Sequence, residues 1–109
     1  MKPKRPNQAE SPVEPQTDEF WDLRLYVTGR SPKSRMVLSK LEATCERYLV
    51  GRYRITVIDL LSHPHRAKAD QILATPTVVR ALPMPMRTLI GNLSDTENVL
   101  SGLDMLSAG

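Results

Sequence analysis

The chain has 109 residues, with 15 Lys and Arg against 12 Asp and Glu, a length that supports one domain around a small core. The net charge of +3 and a 5% share of aromatic residues leave few stacking platforms for single strands, so no nucleic-acid partner is expected, and no apolar run approaches the roughly 20 residues that cross a bilayer. The single Cys45 excludes an internal disulfide and a CxxC pair and fits a reducing compartment, so a cytoplasmic protein without a membrane partner is expected.

Residues 1–19 hold Pro3, Pro6, Pro12 and Pro15 among polar residues, the composition of a disordered leader with nothing to bury. Lys2, Lys4 and Arg5 are not followed by an apolar segment, so this is not a secretory signal. The domain is expected over residues 20–109. Residues 21–28 alternate, which predicts a first strand with Trp21, Leu23, Leu25 and Val27 on a core face and Asp22, Arg24, Tyr26 and Thr28 on a wet face.

Gly29 ends that strand, and Ser31-Pro32 opens a helix, serine as N-cap and proline at the first helical position. Val37, Leu38, Leu41, Cys45, Tyr48 and Leu49 recur at helical spacing as its buried stripe, and Gly51 is its stop. Residues 52–60 form a second strand, in which the run Ile55-Thr56-Val57-Ile58 predicts burial on both faces in a central parallel position. A short helix follows over residues 62–73, capped near Ser62 or His63, with Ala69, Ile72 and Leu73 facing inward.

Residues 72–91 read as a helix end, an Ala74-Thr75-Pro76-Thr77 corner and two strands joined through Pro83-Met84-Pro85. The prolines stop a helix from running through, and Thr75–Pro76 is a candidate cis bond. Thr77-Val78-Val79 suits a strand; Met86, Leu89 and Ile90 supply the return strand. Ser94-Asp95-Thr96-Glu97 spells a capping box with Ser94 as the cap, and Val99, Leu100, Leu103 and Leu106 a final stripe. In that helix Gly102 costs about 1 kcal/mol against alanine, and Asp104 opposes the dipole near the end. The order β-α-β-α-β-β-α is that of a single thioredoxin-like α/β domain.

A thiol enzyme of this fold needs its cysteine at the first turn of the first helix, where the dipole stabilises a thiolate. That turn reads Thr28-Gly29-Arg30-Ser31-Pro32-Lys33, and Cys45 lies about three turns further on, which excludes redox catalysis. Ser31 occupies the place of a catalytic hydroxyl in some glutathione-binding relatives of the fold, although a plain N-cap explains it better. His63 and His65 flank Pro64 without further metal ligands. Arg66, Arg80 and Arg87 are expected to form a basic face beside the proline corner, either solvated or docking an acidic partner.

The stretches LRLYVTGRSP, ITVIDLLSHP, ILATPTVVRALPMPMR and LIGNLSDTENVLSGLDML resemble, in order and without gaps, the bacterial circadian-clock KaiB family. The resemblance covers about residues 21–106. The KaiB-like domain of the clock kinase SasA is related, but no kinase portion follows here, which favours KaiB itself. The resemblance implies a non-enzymatic, cofactor-free regulator that binds the N-terminal ATPase ring of a KaiC-like hexamer. KaiA or a SasA-type histidine kinase would be the further partner or competitor. It also implies a metamorphic chain, with a resting βαββααβ form, often a tetramer, and a thioredoxin-like monomer competent to bind.

By matching positions, the residues tied to the fold switch are Trp21, Pro76, Pro83, Pro85, Gly91, Gly102 and Asp104. The surface facing KaiC is implied at Ser62, Pro64, Arg66, Gln71, Thr75 and Arg80, with Arg87 nearby. A KaiA-type partner would pair with the second strand from Tyr53 onward, as an exposed edge. Trp21 stands where cyanobacterial members carry tyrosine, Gln71 where lysine is usual and Thr88 where arginine is usual, which thins the basic face. With an added leader and no acidic tail, the chain reads as a divergent paralogue. Such a paralogue would work with KaiC without KaiA, or in a stress response, and rest as the thioredoxin-like monomer. The competing expectations are a glutathione-dependent enzyme using Ser31 and, from the basic pI alone, a nucleic-acid binder.

Overall fold

The computed structural model describes residues 19–106, so the leader expected over residues 1–19 lies, apart from Glu19, outside the described residues. The elements follow as β1 (Trp21–Val27), α1 (Pro32–Tyr48), β2 (Tyr53–Asp59), α2 (His65–Ala69), β3 (Thr77–Leu82), β4 (Arg87–Ile90) and α3 (Thr96–Gly102). They build a four-stranded sheet in the order β2-β1-β3-β4. β1 runs parallel to β2 and antiparallel to β3, and β4 returns antiparallel to β3. This is the expected thioredoxin-like arrangement. No helix among the described residues is long and apolar enough to cross a membrane.

One sheet face carries the main core. Trp21, Leu23, Leu25 and Val27 of β1 and Val78 of β3 pack with Val37, Leu41 and Cys45 of α1, and with Val99 and Leu100 of α3. Each fully buried side chain of this size contributes about 1.5–3 kcal/mol. Ser31 accepts a hydrogen bond from the Ser34 amide at 3.1 Å and Pro32 opens α1, as the sequence requires.

The opposite face departs from the expected wet surface. Tyr26 is buried with Ile58, Ile72 and Val79, because the α2 segment folds across that end of the sheet and the Tyr26 hydroxyl donates to Asp70 Oδ2 at 2.7 Å. Asp22, also expected on the wet face, is buried beside Arg54.

β2 is an edge strand, not a central one. β1 takes its second neighbour from β3, so the β-branched run of β2 reflects strand propensity rather than burial on both faces, and Val57 stays 44% exposed. α2 is shorter than the expected 62–73 helix. Ile72 is buried but Leu73 is 92% exposed, and Ala69 points outward. The backbone turns left-handed at Gln71, φ 59°, and this directs the following residues off the helical stripe. In the return strand Met86 and Ile90 face solvent, Leu89 being the residue packed on the core.

α3 is capped by Asp95, whose carboxylate accepts from the Glu97 and Asn98 amides, while the Ser94 hydroxyl donates to Asn92. Gly102 is the last helical residue rather than a mid-helix one. A β-carbon there would sit 2.7 Å from Leu89 Cδ1, so the glycine lets α3 lie close to β4. Beyond it the chain turns, burying Met105 and leaving Leu106 exposed.

Candidate partner-docking site

The carboxyl ends of β1 and β2, the start of β3 and the end of β4 meet at one end of the sheet. Side chains fix the loops there. Asp59 accepts from the backbone amides of Gly29 and Leu61, both at 2.9 Å, and these two bonds hold its carboxyl below the usual carboxylate range. Gly29 has φ +81°, a turn that glycine makes without strain. The Thr28 and Thr75 hydroxyls share a hydrogen bond of 2.8 Å, tying the end of β1 to the proline corner. The Thr75–Pro76 bond is cis, as are Leu82–Pro83 and Met84–Pro85.

A groove of about 520 Å³ opens beside this corner, lined among others by Lys33, Met36, Thr75, Pro76, Ile90 and Gly91. Met36 is 48% exposed and Ile90 50%; Leu61 at 68% and Leu73 at 92% stand on the adjoining loops. Exposed large apolar side chains gathered at loops that are themselves tied down form a surface suited to a protein partner.

The expected site residues divide. Ser62, Pro64, Gln71 and Thr75 are all exposed at or next to this end. Arg66 is also there, paired with Asp70 at 2.8 Å. Arg87 is exposed at the far end of β4, opposite Arg80 in register. Tyr53 begins β2 at the other end of the sheet, and its hydroxyl donates to Glu46 at 2.7 Å.

Arg80 corrects the expectation of a surface cation. It is 4% exposed and lies on the core face, where it donates to Leu103 O and Pro85 O, each at 2.7 Å. The three arginines therefore do not assemble one basic face. Trp21 is buried, Gly102 is half-buried against Leu89, Gly91 is exposed with φ +114°, and Asp104 is exposed with φ 59°. Met36, Leu73 and Ile90 were missed as surface residues. For Met36 the signal was its place off the α1 stripe.

Cys45 is fully buried, and burial, followed by Glu42 and Glu46, pushes its thiol up to about 12; the group is neutral at pH 7. The Ser31 hydroxyl serves as the helix cap. His63 and His65 stand edge-to-face with ring centres 6.4 Å apart, and the described residues bring no group of three His, Cys, Asp or Glu side chains together around a metal.

The sequence profile of the KaiB domain matches residues 24–105. The chain belongs to the KaiB family. It is 40% identical over 87 residues to the circadian clock protein KaiB3 of Synechocystis sp., spanning 80% of this chain and 85% of that one. It is 50% identical over 84 residues to the circadian clock oscillator protein KaiB of Prochlorococcus marinus, 77% of this chain and 71% of that one. Among solved structures, the N-terminal domain of Synechococcus elongatus SasA superposes with a TM-score of 0.69 at 19% identity, covering 94% of this chain and 96% of that one. Chloroplastic thioredoxin z superposes with a TM-score of 0.63 at 18% identity, covering 84% and 81%. At these identities the two structures speak to the fold, and the fold of this KaiB-family chain is thioredoxin-like.

Proposed function

We propose that this KaiB-family chain is a non-enzymatic clock-type regulator. It docks on the N-terminal ATPase ring of a KaiC-like hexamer and changes that hexamer's phosphorylation state. The observation that carries the reading is the thioredoxin-like arrangement of a KaiB-family sequence, the form that the family resemblance links to partner binding. The docking face is the apolar groove end around Thr75, Met36, Ile90 and Leu73, with Ser62, Pro64, Arg66 and Gln71 at its rim. A neutral, buried Cys45 and a Ser31 hydroxyl engaged as a cap support a binding role over catalysis. The β2 edge leaves unpaired backbone groups on which a KaiA-type or SasA-type partner can add a strand. The chain both rests and works as a cytoplasmic thioredoxin-like monomer.

Titration of the labelled chain with a KaiC-type hexamer, followed by fluorescence anisotropy, tests this. Leu73→Asp places a charge on a side chain that contributes little to folding, and it should weaken the complex about tenfold or more by removing an apolar anchor. Unchanged affinity in Leu73→Asp would remove this face from the interface, and absence of any complex would overturn the regulator reading.

A further inference from the structure

We propose that a hollow between β2 and the start of α1 is a binding site for a small carboxylate with an apolar tail. The tail lies on Val27, Leu38 and Val57, and Arg30 and Arg35, which line the same hollow, hold the carboxylate. The site shares no lining residue with the docking groove, and it holds whether or not a KaiC-type partner binds.

The hollow measures about 300 Å³, at the lower end of the range for small-molecule sites. It follows from the edge position of β2. In register, Leu23 faces Ile55 and Leu25 faces Val57, so alternation puts Ile55 and Val57 on the sheet face that α1 covers. Ile55 packs on the core cluster, but Val57 stays 44% exposed. The α1 residues that reach this flank are Ser34, Arg35 and Leu38. Of these only Leu38 is apolar, and it is half-buried. The other flank of the same helix, at Lys33, Met36 and Val37, faces the docking groove. An apolar floor is therefore left open where the core would otherwise continue.

The rim supplies the charge. Arg30 and Arg35 are exposed, and no acidic side chain is among the described residues that line the hollow. Arg35 Nη1 donates to Arg30 O at 3.0 Å, which anchors the guanidinium at the rim and leaves its other nitrogens to donate outward. The Ser34 hydroxyl accepts from Ser31 at 3.2 Å and keeps its own proton for a ligand oxygen. Asp59 shares the sheet face of Val57, but its carboxylate is engaged by the Gly29 and Leu61 amides and lies under the positive charge of Arg30. A planar guanidinium matches the two oxygens of a carboxylate. An apolar floor under two arginines selects an amphiphilic anion over a neutral oil or a bare ion.

Titration of the isotope-labelled full chain with octanoate, followed by amide NMR at neutral pH, tests the site. The shifts should saturate and cluster at Gly29, Arg30, Ser34, Leu38 and Val57, with Ile90 and Asn92 of the docking groove unmoved. Octanol, which lacks the charge, and acetate, which lacks the tail, should each bind about tenfold or more weakly than octanoate. Arg30→Gln combined with Arg35→Gln changes two exposed side chains and should keep the fold. It should weaken octanoate about tenfold or more and leave octanol within about twofold. Val57→Asp should weaken both by about tenfold or more. Shifts that do not saturate, or that centre on the docking groove, would overturn the site. Octanol binding as tightly as octanoate, or an arginine double variant that keeps full octanoate affinity, would overturn the role of the two arginines. If a variant does not fold, the comparison of octanoate, octanol and acetate on the unmodified chain decides.

Discussion

Asp70 accepts hydrogen bonds from the Tyr26 hydroxyl and from Arg66, and these, Tyr26 foremost, hold its carboxyl below the ordinary value. A depressed carboxylate contributes stability that is present above its unfolded pKa and lost as pH falls through the folded one, so this tie weakens below about pH 4. Tyr26→Phe should move the Asp70 titration upward in a carboxyl-detected NMR series; an unmoved midpoint would contradict the assignment. Cys45 shows the opposite sign. Its thiol, raised to about 12, stays neutral in the fold but ionises in the unfolded chain above about pH 8.5, so stability falls as pH rises from there. Iodoacetamide at pH 8 should label Cys45 only as fast as the domain unfolds, and rapid stoichiometric labelling would show the thiol accessible. The place of Cys45 was legible because the α1 stripe has a clear helical period. Arg80 was misread because its charge was given more weight than its register. It shares the parity of Val78, and that alternation put it inside.

At the scale of elements, α2 and α3 end alike. The residue after each cap is left-handed and not glycine: Gln71 after α2 and Asp104 after α3, both at φ 59°. In each, the next amide reaches back to the third-last helical carbonyl, Ile72 N to Ala67 O at 2.7 Å and Met105 N to Leu100 O at 2.8 Å. These are Schellman ends, which glycine normally occupies. A glutamine in that conformation costs about 1–2 kcal/mol, part of which a glycine returns as unfolded-state entropy. Gln71→Gly should therefore stabilise the domain by about 0.5–1 kcal/mol in a denaturant melt, and a loss of stability would contradict the strain. The early end of α2 was hidden from the sequence for the same reason, as no glycine marks it. The central strands, α1 and the hairpin were legible because alternation, the Ser31-Pro32 start and the prolines each carry their own geometry. The edge position of β2 was not, because strand order is decided by pairings remote in sequence.

Across the whole molecule, the sheet presents one end with tethered loops and exposed apolar side chains, and two edge strands, β2 and β4. Local signals agree with this arrangement at most positions, which is the condition for a chain to settle in it. The docking surface was only partly legible, since Thr75 and its neighbours came from the family pattern, while Met36, Leu73 and Ile90 emerge only when distant segments meet. The measurement that tests the central claim most directly is size-exclusion light scattering of the chain alone and mixed with a KaiC-type hexamer, in ADP and in ATP. The account predicts a free monomer near its 12.3 kDa chain mass and a co-eluting complex with the hexamer. A free tetramer would contradict the thioredoxin-like monomer as the resting form, and no complex in either nucleotide would contradict the regulator role.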